Sequence, residues 1–199
     1  MALTKLQKDY CKFVAGINKY DPAWEKTSLM LALATEVDEL NKALPAKDRI
    51  LSSIVGVKST LNAIELESGD VIWTCIAIGN AELYGLNNNL IFGHLDIGYK
   101  MSTERTVNKV FPHKEQTLLT PLRDYPMKLV DITNKLNFKS FYTKPDDKYK
   151  MALYEATLDI CTIVGAILSL YNHIDYPLTI EGVMDKNIKK LTKQIGMER

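Results

Sequence analysis

Apolar positions recur at helical spacing along most of the chain. In "TKLQKDYCKFVAGINKY", Leu6, Tyr10, Phe13 and Val14 share a side and predict a first helix. "KYDPAWEKTS" breaks the pattern at Pro22, and Thr27 or Ser28 can cap a second helix over 28–44 that Pro45 ends. A third helix is predicted over 60–83, stopping at "YGLNNN", and a short fourth over 90–101. The polar stretch 102–115 reads as the connection between two halves. Then follow a helix over 116–138, interrupted at Pro121 with Pro126 a second candidate break, and a loop at "FKSFYTKPDDK". A long helix over 148–173 and a final one over 178–195 complete the chain. No stretch alternates with the strand period between turn signals, so the expected class is an all-α helical bundle.

The two halves resemble each other. "GDVIWTCIAIGNAELYGL" can be laid on "LDICTIVGAILSLYNHIDYPL", with Asp70 opposite Asp159, and "NLIFGHLDIGYKM" on "TIEGVMDKNIKKL", with Lys100 opposite Lys190. This suggests a tandem, pseudo-dimeric duplication of a four-helix unit, with 1–104 and 116–199 as halves of one compact domain. Generic likeness between amphipathic helices is the alternative.

Two acid pairs interrupt the apolar pattern. On helix two, Met30, Leu33, Val37 and Leu40 form one ridge, and the neighbouring ridge is Leu29, Ala32, Glu36, Glu39 and Ala43. On helix three, Ala63, Glu67, Asp70, Thr74, Ala77 and Ala81 lie along one line. A solvated face explains one such pair; two pairs within small-residue ridges of consecutive helices suggest a shared cleft. Two carboxylates about 5 Å apart repel by roughly 3 kcal/mol at an effective dielectric near 20, so converging acids need protons or a cation. Hard oxygen donors without His or Cys nearby suit Mg²⁺ or Mn²⁺ and not zinc. Mg²⁺ held this way keeps positions open for water and substrate phosphates, which points to metal-assisted hydrolysis of a phosphoanhydride.

Composition narrows the field further. With 46% hydrophobic and 25% charged residues, the chain is suited to a packed core. Lys+Arg (25) nearly balances Asp+Glu (24), which gives no basic footprint for duplex nucleic acid and no polybasic membrane anchor. "MALTKLQKDYCKF" lacks the apolar core of a signal peptide, and the apolar run "ICTIVGAILSLY" is shorter than the roughly 20 residues that cross a bilayer. Cys11, Cys75 and Cys161 form no CxxC pair, so a reduced, cytoplasmic protein is expected, with Cys75 and Cys161 as small core groups. No P-loop glycine pattern occurs, and His94, His113 and His173 show no ligand spacing.

"ExxE" at Glu36–Glu39, followed by "ExxD" at Glu67–Asp70, resembles the signature of the all-α nucleoside triphosphate pyrophosphohydrolases, which include MazG-like enzymes and the all-α dUTPases and dCTPases. "ESGDVIW" is similar to that family's E-L-G-D-V-L-[FW], and "IEGVMDKNIKKLTKQ" resembles its last helix, where an Asn and a Lys three apart approach the phosphates. The resemblance implies Mg²⁺-dependent cleavage of a (deoxy)nucleoside triphosphate to monophosphate and pyrophosphate. Glu36, Glu39, Glu67 and Asp70 would hold the metal, Glu36 or Glu39 would activate water, and Asn187 and Lys190 would contact phosphates. The stretch 102–147 matches nothing in the family, and Thr35 stands where many MazG-like enzymes carry a further Glu. In the second half, Asp131 and Asn134 stand near the expected place of the first pair, and Ala156 and Asp159 at that of the second. Conversely, the first half offers Ile97 and Lys100 where the second has Asn187 and Lys190, so about one substrate site per chain is expected.

Trp24 either stacks on the nucleobase or covers the core, whereas Trp73 reads as core. Asn80 either reaches a base or sugar or bonds a neighbouring helix, and Lys186, Lys189 and Lys193 read as a solvated face. A narrow dUTPase or dCTPase is a variant of the same expectation. The competing one is a non-catalytic helical module, descended from such an enzyme, that binds a nucleotide or protein. The sequence permits a homo-oligomer.

Overall fold

Seven helices account for nearly all described residues: α1 (Lys5–Ile17), α2 (Glu25–Ala43), α3 (Ile54–Asn80), α4 (Asn88–Thr103), α5 (Lys114–Ser140), α6 (Asp147–Leu170) and α7 (Ile180–Met197). The structure is a computed structural model that describes residues 2–17, 25–44, 54–103, 114–140, 147–172 and 175–197. No strand occurs among them, and the protein is an all-α helical bundle. Pro22, Trp24, Pro45, His113, His173 and residues 104–113 of the predicted connection lie outside the described residues.

Local chemistry sets several helix starts. Thr4 and Gln7 form a reciprocal capping box at α1, with Gln7 N donating to Thr4 Oγ1 at 3.2 Å and Thr4 N donating to Gln7 Oε1 at 2.9 Å. Asn87 Oδ1 accepts from Leu90 N at 3.1 Å before α4, and Thr179 Oγ1 accepts from Gly182 N at 3.0 Å before α7. The second helix begins upstream of its predicted caps, so Thr27 and Ser28 lie within its first turn. The third begins at Ile54 and ends at Asn80. Beyond it Glu82, Tyr84 and Gly85 take positive φ, a conformation that cannot continue a helix.

The ridge Met30, Leu33, Val37 and Leu40 is fully buried, as its spacing predicts. It joins Ile64, Ile72, Cys75, Ile76 and Ile78 of α3 and Leu153, Ile160, Cys161, Val164 and Ile167 of α6 in one core. Helix α6 is long and apolar enough to cross a membrane by length and composition, unlike the shorter uninterrupted run counted in the sequence, but 67% of that window is buried inside the bundle.

The predicted break in α5 does not occur: the helix runs through Pro121 and Pro126. Proline lacks the N–H that would bond the carbonyl four residues back. For Pro126 that carbonyl belongs to Leu122, and Asn41 Nδ2 of α2 donates to it at 3.1 Å. A neighbouring helix thus supplies the missing donor, while buried Leu122, Tyr125, Leu129, Ile132 and Leu136 keep one face of α5 on the core.

Helix pairing is partly reciprocal. Within the halves, α2 packs on α3 and α5 on α6; between them, α2 meets α5, α3 meets α6, α4 lies on α6, and α7 lies on α3. Exchanging α2 with α5, α3 with α6 and α4 with α7 maps these pairs onto one another, but α3 also touches α4 without a matching α6–α7 pairing of that extent, and α1 has no counterpart. The α4–α6 contact is backbone on backbone: a Cβ on Gly98 would stand 1.9 Å from the Thr162 carbonyl oxygen, and one on Gly165 2.1 Å from that of Leu95.

Candidate metal centre

Helices α2 and α3 present their acids to each other. Oxygens of Glu36, Glu67 and Asp70 all lie within 4.8 Å of one another, the one such group among the described residues. The buried Leu33 and Val37 fix which face of α2 meets α3, so Glu36 points into the seam between them. Glu39, one turn on, is exposed and stands outside the triad, although its charge still acts on Glu36 and Glu67. The expected set of four acids therefore becomes three with a fourth beside it.

The last helix completes the site. Gly69 lets α7 come close, since a Cβ there would meet Cβ and Nδ2 of Asn187 at 3.2 Å each. Asn187 is 2% exposed and donates to Asp70 Oδ1 at 2.8 Å, while Tyr10 of α1 donates to Asn187 Oδ1 at 2.9 Å. Lys190 bonds and ion-pairs with the other oxygen, Asp70 Oδ2. Five of the predicted site residues, Glu36, Glu67, Asp70, Asn187 and Lys190, are thus brought together from three helices.

Electrostatics follow from crowding. Burial, then the charges of Asp70, Glu39 and Glu67, push the Glu36 carboxyl up to about 7 against the opposing pull of Lys190. Glu67 is raised for the same kinds of reason, burial first and Asp70 next, and its Oε2 is buried without a hydrogen-bond partner. Burial and the nearby Asp70 also raise the Tyr10 hydroxyl, which stays a neutral donor. With all groups ionised, three carboxylates and one ammonium leave two negative charges.

These donors fit a hard divalent cation. An octahedral Mg²⁺ with ligands about 2.1 Å away spaces its oxygens roughly 3–4 Å apart. The 4.8 Å bound on the triad is close to that spacing, and the ion would give Glu67 Oε2 the partner it lacks.

Other predicted residues go elsewhere. Asn80 is exposed and bonds helices instead: its Nδ2 donates to the Cys11 carbonyl at 3.0 Å, and its Oδ1 accepts from Asn88 at 2.7 Å. It lies ten residues beyond Asp70, about 15 Å along α3, so it does not reach the acid cluster. Trp24 lies outside the described residues, and Trp73 packs against the core as expected. In the second half, Asp131 bonds Lys135 at 2.5 Å, Asn134 is exposed, Ala156 is buried, and Asp159 accepts from Tyr125 at 2.7 Å.

Lys186 is not on a solvated face. It ion-pairs with Glu65, which is 9% exposed, and donates to Asn62 Oδ1 at 2.7 Å and to Tyr176 Oη at 2.9 Å. The sequence carried the clue, because Lys186 stands four residues before Lys190 and shares its helix face. Grouping it with Lys189 and Lys193 hid this. For Tyr10, helical period gives the direction of the ring and not the bond that its hydroxyl makes to Asn187.

Comparisons with known protein families, with curated proteins and with solved structures find no match.

Proposed function

We propose that this chain is a Mg²⁺- or Mn²⁺-dependent pyrophosphohydrolase of (deoxy)nucleoside triphosphates. The observation that carries the reading is the convergence of Glu36, Glu67 and Asp70 to within 4.8 Å, in the motif order that resembles the all-α pyrophosphohydrolases. Partly reciprocal helix pairing supports a tandem duplication in which the first half supplies the acids and the second supplies Asn187 and Lys190. One site per chain then follows, because two of the four corresponding positions of the second half are Asn134 and Ala156.

When bound, the metal would neutralise charge on the phosphates and lower the pKa of water. Glu36, Glu67 and Asp70 would hold it. A ligating carboxylate is a poor base, so Glu39, beside the triad and exposed, is the group left to accept the attacking water's proton. Oxygen then bonds to the α-phosphorus, the bond to the bridging oxygen breaks, and pyrophosphate leaves. Lys190 carries the positive charge on the phosphate side, and Asn187, fixed by Tyr10, keeps Asp70 oriented.

Pyrophosphate release from a panel of nucleotides, with and without Mg²⁺, tests this directly. Glu67→Gln or Asp70→Asn should lower kcat/KM by about 10²–10³-fold, equivalent to roughly 3–4 kcal/mol of lost transition-state stabilisation. Undiminished activity in the double variant would rule out this site. No pyrophosphate from any nucleotide with either metal would favour a non-catalytic binding module.

A further inference from the structure

Lys190 supplies a positive charge within the acid cluster, on the very carboxylate a metal would need. Both oxygens of Asp70 are engaged, one by Asn187 and one by Lys190, but the two partners differ in freedom. Asn187 is 2% exposed, bonded to Tyr10 and pressed against Gly69, so it stays. The Lys190 side chain is 31% exposed and ends a flexible four-carbon stem, so it can swing into water. Glu67 Oε2, buried and unpartnered, marks a place beside Asp70 that the ammonium does not serve.

We propose that Lys190 is a built-in counter-ion that a divalent cation displaces from Asp70, and that the displaced ammonium then serves the anion arriving with the metal. The proposal rests on the metal-binding reading above. Two positive centres on one carboxylate repel each other, so metal entry and Lys190 retention at Asp70 Oδ2 oppose each other. A phosphate oxygen that draws Lys190 away favours the metal, and the metal favours the phosphate. Binding of the two is therefore coupled through one side chain. The protein is guarded against an uncompensated acid cluster when empty, and its phosphate-binding charge is released more readily when the metal is in place.

The contrasting role is mechanical: Lys190 would simply fasten α7 to α3, as Lys186 does through Glu65. The two roles predict opposite signs. Mn²⁺ alone is titrated into the metal-free full chain and followed by electron paramagnetic resonance. Lys190→Met is expected to bind Mn²⁺ about tenfold tighter than the wild type, because the competing charge is gone. Lys190→Arg should stay near the wild type, and Lys186→Met should not tighten binding. Equal or weaker binding by Lys190→Met, in a protein whose circular dichroism is unchanged, overturns the proposal while leaving the metal site standing. Absence of Mn²⁺ binding in the wild type and every variant overturns the metal-binding reading as well. A measurement on the wild type needs no folded variant: acetylation of Lys190 by an amine-directed reagent, read by mass spectrometry, should speed up several-fold on adding Mg²⁺. An unchanged or slower rate contradicts the proposal.

Discussion

Glu36 is held with a carboxyl pushed up to about 7 from an ordinary value of 4.5, chiefly by burial and then by Asp70, Glu39 and Glu67. Between those two pH values the folded chain keeps a proton that the unfolded chain has lost, so this residue's contribution is full below about 4.5 and is lost as pH rises through about 7. A shift of that size corresponds to at most about 3 kcal/mol, and partial exposure reduces it to about 1–2 kcal/mol. In metal-free buffer, urea titrations at pH 5 and pH 8 should show the wild type losing about 1–2 kcal/mol relative to Glu36→Gln over that interval. Equal pH dependence of the two proteins would mean that Glu36 is not crowded by the other acids. Excess Mg²⁺ should reverse the loss in the wild type, because a cation satisfies the charge that the fold leaves uncompensated.

Elements form where spacing and tertiary bonds agree, and α5 shows what happens when they conflict. Local rules place a break at its prolines, yet Asn41 of α2 serves the carbonyl that Pro126 orphans. Asn41→Ala should cost about 1–3 kcal/mol in chemical denaturation, the range for leaving a buried carbonyl unpaired. Pro126→Ala restores the helix's own N–H, so Asn41→Ala should cost less in that background. Additive effects in this double-mutant cycle would show that the two residues are independent. The same distinction explains what the sequence could and could not reveal. The buried ridge Met30, Leu33, Val37 and Leu40 and the placing of each acid pair on one side of its own helix follow from period alone, because the helix fixes which residues share a side. That Glu36 and not Glu39 joins the triad depends on where α3 lies relative to α2, a distance that no spacing within one helix contains. Period puts Lys186 on the face of Lys190, but its partners Glu65, Asn62 and Tyr176 belong to other segments of the chain and no spacing names them.

At the scale of the molecule, the last helix on each side of the 104–113 stretch lies against the other side. Helix α4 packs on α6 with backbones touching at Gly98 and Gly165, and α7 packs on α3 at Gly69. Consequently neither half owns all the surface that its core requires. A fragment of residues 1–104 would lack α7, taking Asn187 and Lys190 from Asp70. It would also lack α6, uncovering Phe92 and Leu95, which are at most 1% exposed in the whole chain. Burying an aromatic or leucine side chain contributes about 1.5–3 kcal/mol, so uncovering a few of them removes most of the margin by which a domain this size is stable. The fragment 1–104 is therefore expected to show no cooperative thermal transition and no Mn²⁺ binding. Mixing it with 105–199 should restore both, since the helix exchange needs no covalent connection between the halves. A fragment 1–104 that melts cooperatively alone and binds Mn²⁺ as the whole chain does would mean that the first half carries a self-sufficient site. Asn187 and Lys190 would then be attached to that site without being part of what builds it.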